Sequence, residues 1–574
     1  MTHFEVWAPE RSDVRLRLTG FTADVPMTAG AGGWWRADVP GALPGTDYGY
    51  LLDGADEPLP DPRSAWQPHG PHGLSRVYDH AAFPWTDAAW TGPTLAGSVL
   101  YELHIGTFTP EGTFDAAIGR LDHLVDLGVD MVELLPVNAF NGTHNWGYDG
   151  VCWYAPHEGY GGPDGLKRLI DACHARGLGV LIDAVYNHFG PSGAYAPRFG
   201  PYLADGGNSW GRSLNLDGRH SDEVRRYIVD SALAWLRDYH ADGLRLDAVH
   251  ALVDHRAVHL LEELAAEVDA LAAHLGRPLT LIAESDLNDP RLITPREAGG
   301  YGLHGQWNDD AHHALHTLLT GERQGYYADF GSPECLATVL TGAYFHAGTW
   351  SSFRGRTHGR PVDRERTPAH RFVAYLQNHD QIGNRATGDR ISTTLSPGLL
   401  RVGAVLLLTS PFTPMLFMGE EWGATTPWQF FTSHPEPDLA TAVREGRRRE
   451  FAAHGWPTGD VPDPQDPLTL ARSRLDWAEL GKPAHRDMLD LYRRLIALRR
   501  ALPDLTDPRL DRVEVTHGDR WLVMRRGSTA VAANLAPHPT RVPLAAADIL
   551  LSTAPGVTTA VDLPAESAAV LALS

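Results

Sequence analysis

The sequence is short of the residues that several common chemistries need. Of its 49 basic residues only Lys167 and Lys482 are lysine, which leaves almost no candidate for a Schiff base or a phosphate loop. The one Gly-Lys pair runs into Pro483, where a phosphate loop needs serine or threonine. Three cysteines without a Cys-x-x-Cys pair support neither a disulfide framework nor a zinc ribbon.

Long apolar runs and positive charge are also scarce. The most apolar stretch, residues 402–418, is broken by Pro411 and Pro414 and is shorter than the ~20 residues of a membrane helix, so we predict a buried strand with its flanks. With 49 basic and 71 acidic residues the net charge is −22, which argues against nucleic acid and anionic membranes as partners. The first residues lack the pattern of a signal peptide, and we expect a cytoplasmic protein.

Carboxylates, histidines and aromatic rings are plentiful instead. The 574 residues include 71 acids, 29 histidines, 17 tryptophans and 18 tyrosines. Such side chains suit a neutral, polyhydroxylated ligand, so the composition favours a sugar-like substrate.

Hydrophobic patterning divides the chain into three regions. Short alternating strands in residues 1–92 predict an N-terminal β-sandwich, and hairpin texture in residues 504–574 predicts a small C-terminal β domain. In residues 93–503 eight apolar runs alternate with helical patterns, and eight is the number of strands in a (β/α)₈ barrel. An open doubly wound sheet is the alternative, but its glycine fingerprint is missing after the first run. The eight runs are residues 99–108, 131–137, 179–188, 243–249, 279–286, 302–309, 371–380 and 405–420.

Helices are predicted between and after these runs. They cover residues 115–127, 163–176, 222–240, 257–275, 310–319 and 486–502. The three arginines at 447–449 lie in a polar helical pattern, and we interpret them as a solvated face.

Four of the predicted strands end in acidic side chains. Active sites of (β/α)₈ barrels lie at the C-terminal ends of the strands. A charge next to a β-core costs several kcal/mol unless it is paired, so four such strands indicate a functional rim rather than scattered ion pairs. The polar residues at these ends are Asp183, Asn187, His188, Arg245, Asp247, His250, Glu284, Asp286, Asn378, His379 and Asp380.

Two of these acids differ in their expected charge. Arg245 lies two residues before Asp247, on the same face of its strand, and should hold Asp247 ionised. Glu284 has no basic neighbour so close in sequence and can keep a proton. An ionised and a protonated acid are what hydrolysis of a glycosidic bond requires.

Two other interpretations use the same rim. A metal-dependent hydrolase would take ligands from Asn187, His188, Asp247 and His250, but no His-Glu-x-x-His motif and no His-x-His on the first strand is present. A non-catalytic carbohydrate-binding scaffold would keep the aromatic residues but does not need all the acids.

Residues 183–188, 243–250, 283–286 and 377–380 resemble, in order and strand placement, the four signature regions of the α-amylase superfamily of retaining glycoside hydrolases. The resemblance implies that Asp247 is the nucleophile, Glu284 the general acid/base and Asp380 the transition-state stabiliser. It also implies that the carboxyl groups of the first two are ~5–5.5 Å apart. The residues that it assigns to positioning Asp247 and the sugar are His188, Arg245 and His379.

Other segments narrow the likeness. Residues 132–137, 145–150 and 189–193 resemble the group of branching enzymes, debranching enzymes and trehalohydrolases, which makes Tyr148 an aromatic platform under the sugar. Residues 285–289, 306–313, 379–384 and 419–422 look like the trehalohydrolases of this group. That likeness implies hydrolysis of the α-1,4 bond next to the terminal trehalose of a maltooligosyltrehalose. The further sugar-binding residues are His250, Asp286, Asp309, Asp310, His312, His313, Gln381 and Asn384, although successive helical residues such as the two histidines cannot both point at one ligand.

No metal or cofactor is predicted. Residues 189–242 number 54, and much of this segment is the predicted helix that begins at Asp222, which leaves little room for the calcium-binding insertion of many amylases. Asn187 matches a calcium ligand there but has no evident companions. We expect a monomer that works with a maltooligosyltrehalose synthase. A glucan branching or debranching enzyme and a non-catalytic α-glucan-binding protein remain the alternatives.

Overall fold

The N-terminal residues form the two antiparallel sheets of a β-sandwich. The structure is a computed structural model that describes residues 1–208, 211–453 and 461–573. Strand Val14–Leu18 shows why the sheets pack, because its alternate residues are buried in the core. In order across each sheet, the strands are Thr2–Trp7, Trp34–Val39 and Thr28–Ala29, and Val25–Pro26, Val14–Leu18, Asp47–Leu52 and Ser75–Arg76.

Eight parallel strands then close a barrel in sequential order, which confirms the predicted (β/α)₈ fold. The last strand pairs with the first, so the sheet has no free edge. The strands are β1 (Leu100–Leu103), β2 (Met131–Leu134), β3 (Gly179–Ala184), β4 (Gly243–Leu246), β5 (Thr280–Ala283), β6 (Gly305–Trp307), β7 (Phe372–Tyr375) and β8 (Thr413–Phe417).

Helices cover the barrel and follow its last strand. Those of seven residues or more are α1 (Leu121–Leu127), α2 (Gly162–His174), α3 (Ser221–Arg237), α4 (Leu260–Leu275), α5 (Asp309–Thr320), α6 (Pro333–Gly342), α7 (Pro397–Thr409), α8 (Pro437–Ala453), α9 (Pro467–Ser473) and α10 (Pro483–Ala501). Shorter helical turns are Ile105–Phe108, Phe114–Ile118, Ala196–Phe199, His379–Gly383 and Pro503–Thr506. The predicted helix at residues 115–127 is split at Gly119. Helices α6, α7 and α9 were not predicted, whereas α8 contains the arginines at 447–449 that were placed in a polar helical pattern.

The predicted eighth strand is wrong at its beginning. Residues 405–409 belong to helix α7, and β8 begins only at Thr413. Helix α7 buries nearly all of its second half, so its apolar run has no amphipathic period and resembles a strand. The helix starts at Pro397, and the Ser396 hydroxyl caps it by accepting the Leu399 N–H at 3.1 Å.

The C-terminal residues form a five-stranded antiparallel sheet. An apolar cluster separate from the main core packs on this sheet and includes Val523, Ala532, Val542 and Leu571. In order across the sheet, its strands are Val513–His517, Trp521–Arg526, Thr529–Asn534, Ser567–Ala572 and Asp548–Ser552. Two-stranded sheets elsewhere pair Asn138–Ala139 with Cys152–Pro156, Leu203–Asn208 with Gly211–Leu214, Thr349–Ser351 with Arg356–His358, and Thr540–Arg541 with Asp562–Leu563.

A buried lysine joins helix α2 to the segment that follows the N-terminal sandwich. Lys167 has no exposed surface, and its Nζ donates to the His80 carbonyl at 2.9 Å. Burial lowers the pKa of this ammonium to about 8. The rings around its Nζ, with centroids 5.2–5.7 Å away, are those of Tyr78, Phe83, Trp85 and Tyr239. No helix in the described ranges is both long and apolar enough to cross a membrane.

Candidate active site

A charged layer fills the barrel interior above an apolar one. Residues two apart on a strand face the same side, and the apolar layer inside the barrel contains Leu100, Met131 and Leu181. The residues two positions further along these strands are Glu102, Glu133 and Asp183, and Arg245 lies two positions after Gly243 on β4; all four are at most 1% exposed. Sequence reasoning missed the two glutamates, although each is a single acid within an apolar strand.

Arg245 contacts three carboxylates. Its Nη1 lies 2.9 Å from both oxygens of Asp183 and 2.6 Å from Asp247 Oδ1, and its Nη2 lies 3.8 Å from Glu284 Oε2. Burial alone lowers the pKa of Arg245, but the facing carboxylates, Asp183 foremost, raise it well above its ordinary value. The ion pair predicted between Arg245 and Asp247 is therefore present, and it places the guanidinium 2.6 Å from the Asp247 carboxylate.

The backbone turns sharply after Asp247. Ala248 has φ 40° and ψ 50°, the left-handed region that residues with a side chain rarely occupy. This turn lets the Ala248 N–H donate to Glu284 Oε2 at 2.6 Å. Asn187 Nδ2 donates to Asp247 Oδ2 at 2.6 Å, and the Asn187 amide oxygen contacts His188 Nδ1. Both carboxylates are thus oriented by fixed N–H donors.

Glu284 is set up to hold a proton. Burial raises the pKa of Glu284 well above its ordinary value; Arg245 offsets part of this effect, and the nearby acids Asp247, Asp309 and Asp380 add to it. Its side chain is nevertheless 17% exposed toward the cleft. A protonated carboxyl at an accessible position can donate to the oxygen of a leaving group.

His379 lies between Asp380 and the charged layer. Its Nδ1 is 2.5 Å from Glu102 Oε1, and its backbone N–H donates to Glu102 Oε2 at 3.0 Å. On the other side of the ring, Nε2 is 3.4 Å from Asp380 Oδ2. Burial lowers the pKa of His379, but Asp380 and Glu102 raise it to about 9. The imidazole is therefore a cation at neutral pH, held against Asp380.

Tyr148 bridges this histidine and the Asp183 side of the site. Its hydroxyl donates to Asp183 Oδ2 at 2.5 Å and lies 2.8 Å from His379 Nε2. Its ring stacks on that of His379, with centroids 5.2 Å apart, and its carbonyl lies 3.0 Å from His188 Nε2. These hydrogen bonds and the stacking contact fix the position of the Tyr148 ring.

A cleft of about 830 Å³ opens above these groups. Its size is within the range of sites that enclose small ligands. Most of the predicted site residues line it: Tyr148, His188, Asp247, His250, Glu284, Asp286, Asp309, His313, His379, Asp380, Gln381 and Asn384.

Asp310 is predicted to bind sugar, but the structure places it in the interior. Its Oδ2 accepts the backbone N–H groups of Phe345 and His346 at 2.8 and 2.9 Å and the Asn288 amide at 3.0 Å. The carboxylate is not part of the cleft wall and instead fixes the loop after α6.

Of the two successive histidines, only His313 reaches the cleft. Its ring stacks on Tyr326, with centroids 4.8 Å apart. His312 is 1% exposed and points inward, where its Nε2 lies 3.0 Å from the Tyr327 hydroxyl. A turn of 100° per residue separates the two side chains on helix α5, so one ligand cannot meet both.

Two acids on the cleft wall are held differently. Asp286 Oδ2 accepts from Arg354 Nη2 at 2.7 Å; burial opposes ionisation, but this arginine lowers the pKa of Asp286 below its ordinary value. Asp309 accepts from the Tyr375 hydroxyl, and burial raises the pKa of Asp309 to about 7. Asp286 is therefore an anion at neutral pH, whereas Asp309 titrates near neutrality.

Several cleft residues were not predicted as ligands. Arg447 belongs to the predicted solvated arginine run, and that interpretation is wrong for it, because its side chain is only 10% exposed and lines the cleft. The position of helix α8 over the barrel mouth is a tertiary feature that the local pattern does not reveal. The other unpredicted wall residues include Trp307, Tyr326, Phe353, Arg354, Phe430 and Glu450.

No metal cluster is formed by the described part of the chain, which has no group of three His, Cys, Asp or Glu side chains arranged to hold an ion. Asn187, which resembles a calcium ligand of amylases, instead directs its amide at Asp247 and His188. The absence of a metal requirement stays a prediction.

The barrel and its acidic cleft place the chain among the glycoside hydrolases of the α-amylase class. A family model described as "Alpha amylase, catalytic domain" matches residues 81–198. A second one, "Domain of unknown function (DUF3459)", matches residues 508–570, the region of the C-terminal sheet.

Full-length relatives define the family more closely: the chain belongs to the malto-oligosyltrehalose trehalohydrolases. The malto-oligosyltrehalose trehalohydrolase of Rhizobium sp. (strain M-11) is 58% identical over 579 residues, 99% of this chain and 97% of the relative. That of Arthrobacter ramosus is 59% identical over 543 residues, 94% of each chain. A crystallised Salmonella typhimurium protein, described as a candidate alpha amylase, is 38% identical, with a TM-score of 0.92 over 100% of this chain and 97% of its own. The predicted family is confirmed.

Proposed function

We propose that the protein hydrolyses the α-1,4-glucosidic bond next to the terminal trehalose of a maltooligosyltrehalose and releases trehalose. The observation that carries the proposal is that Asp247 and Glu284 both contact the guanidinium of Arg245. Asp247 is ion-paired with it, and Glu284 beside it has a raised pKa that favours the protonated acid. The substrate comes from the named relatives, which are malto-oligosyltrehalose trehalohydrolases along nearly the whole chain.

The reaction is a double displacement. Glu284 protonates the glycosidic oxygen while Asp247 attacks the anomeric carbon, so the C–O bond breaks and a covalent glycosyl-enzyme forms. Trehalose leaves with the proton. Glu284, now a carboxylate, takes a proton from water, whose oxygen attacks the anomeric carbon and displaces Asp247. Two inversions retain the configuration of the released glucan.

The surrounding residues hold the sugar and the carboxylates. In this proposal Asp380 grips hydroxyls of the attacked ring, with the charged His379 behind it, and Tyr148 forms the platform below. Arg245 and His188 position Asp247. The residues proposed to bind neighbouring sugar units are His250, Asp286, Asp309, His313, Gln381 and Asn384.

Incubation with maltotriosyltrehalose and with maltopentaose tests the proposal. Selective release of trehalose and maltotriose from the first substrate, with the new reducing end in the α configuration by NMR, is the expected result. New α-1,6 branches in amylose would identify a branching enzyme instead. Binding without cleavage in a single-turnover assay would identify a non-catalytic glucan-binding protein.

The proposal also covers the location of the protein, its oligomeric state, its partners and its domain boundaries. We infer a cytoplasmic monomer whose substrate is supplied by a maltooligosyltrehalose synthase, with no nucleic-acid or membrane partner, as the net charge of −22 favours. We also propose residues 1–92, 93–503 and 504–574 as its three structural units. Analytical ultracentrifugation and limited proteolysis test the mass and the boundaries.

A further inference from the structure

Helix α8, which follows the last barrel strand, forms one wall of the cleft. The four residues that it contributes are Leu439, Val443, Arg447 and Glu450. Their spacing of three and four residues puts them on one face of the helix. This face lies outside the segments that carry the likeness to the α-amylase superfamily.

Arg447 is held rigidly on this wall. Its Nη2 donates to the Gly383 carbonyl at 2.6 Å and to Asn384 Oδ1 at 3.1 Å, and its Nη1 donates to Glu450 Oε2 at 2.9 Å. The guanidinium carbon lies 4.8 Å from the centroid of the Phe430 ring. These bonds use three of the five N–H donors of an arginine, which leaves two for a ligand.

The same contacts connect the wall to the reaction centre. Asn384 Nδ2 donates to Asp380 Oδ1 at 3.3 Å. Because Arg447 in turn donates to Asn384, the three side chains form a hydrogen-bonded chain along the cleft wall. A general acid must contact the leaving oxygen, so the leaving sugar lies on the Glu284 side of the broken bond. In the proposed reaction the attacked ring lies between Asp247 and Asp380, so the rest of the glucan chain would extend away from Glu284, on the Asn384 side of the cleft.

We propose that Arg447, Glu450 and Phe430 form a binding subsite for a glucosyl unit in the malto-oligosyl part of the substrate. Sugar rings present neighbouring hydroxyls to planar polar groups and C–H faces to aromatic rings, and this set offers both. The Arg447–Glu450 pair is charge-balanced, which suits a neutral ligand. This subsite rests on the proposed function, because it assumes that trehalose is the leaving group.

Chain-length dependence tests the subsite. Trehalose release is measured for wild type, Arg447→Gln and the matched control Arg448→Gln, using glucosyltrehalose, maltosyltrehalose and maltotriosyltrehalose. Arg448 is the next residue on the helix and is exposed. Loss of charge-assisted hydrogen bonds should lower kcat/KM of Arg447→Gln by about tenfold to a hundredfold on the longer substrates and much less on glucosyltrehalose. The control should match wild type on all three.

If kcat/KM of Arg447→Gln falls equally on all three substrates with an unchanged Tm, Arg447 only supports Asp380. If kcat/KM does not fall at all, Arg447 does not bind the substrate. Either result overturns the subsite. If wild type releases no trehalose, the proposed function fails separately. Calorimetric binding of maltotriose to Glu284→Gln and to Glu284→Gln/Arg447→Gln then decides the subsite, which requires weaker binding in the double variant.

Discussion

Replacing Glu102 by glutamine should remove much of the pH dependence that His379 gives to stability. In the folded protein the pKa of His379 is about 9, because Asp380 and Glu102 outweigh the effect of burial. An unfolded histidine has a pKa of about 6.5, and the difference corresponds to about 3 kcal/mol of folding free energy. Because the folded pKa is the higher one, this stabilisation is fully present below pH 6.5 and is lost as the pH rises through about 9.

The expected size of the effect follows from the size of the barrel. A cooperative unit of about 400 residues unfolds with an entropy of about 0.8 kcal/mol/K, so about 3 kcal/mol corresponds to a Tm change of about 3–4 °C. Scanning calorimetry at pH 6 and pH 9.5 measures this change for wild type and for Glu102→Gln. The difference between the two pH values should be smaller in the variant by about half of that amount, since Asp380 still faces the ring.

A double variant separates this explanation from a general loss of packing. In a His379→Gln background, Glu102→Gln should leave the pH dependence of Tm unaltered, because the group through which it acts is gone. Equal pH dependence in wild type and Glu102→Gln would refute the reasoning. We also expect kcat to fall in the single variant, because losing the Glu102 charge lowers the pKa of His379, whose ring lies 3.4 Å from Asp380.

Four further predictions concern the site and its support. Asp247→Asn and Glu284→Gln should each lower kcat by about 10³-fold or more without changing Tm, and turnover near the wild-type value would remove them from the mechanism. Since burial raises the pKa of Glu284, wild-type activity should persist at neutral pH and fall as the pH rises through that pKa, which a rate profile measures. Asp310→Ala should cost about 1–3 kcal/mol of stability, seen as a lower Tm, because two buried N–H groups lose their acceptor; an unchanged Tm contradicts the structural role. EDTA should leave activity intact, whereas a loss restored by calcium would show a required metal.

The barrel and the core of its site were predictable because their signals are local. Alternating strand and helix patterns gave the fold class, and acids at the ends of apolar strands identified Asp247, Glu284 and Asp380 as cleft residues. The side-chain period of two also predicted that Arg245 meets Asp247, as the 2.6 Å contact shows.

The remaining features depend on tertiary packing. Helix α7 is buried on nearly all sides in its second half, so its sequence carries no period that separates it from a strand. Asp310 and Asp309 are neighbours, and only packing against the loop after α6 decides which one faces the cleft. Arg447 looks like part of a solvated run until helix α8 is seen above the barrel mouth.

The burial of Lys167 among aromatic rings leaves the protein with one accessible lysine side chain. The only other lysine, Lys482, is exposed just before helix α10 and is not part of the cleft wall. An amine-reactive reagent applied near neutral pH should therefore modify the side chain of Lys482 and leave that of Lys167 unmodified. The molecule can be immobilised or fluorescently labelled through Lys482, with the cleft left open to its substrate.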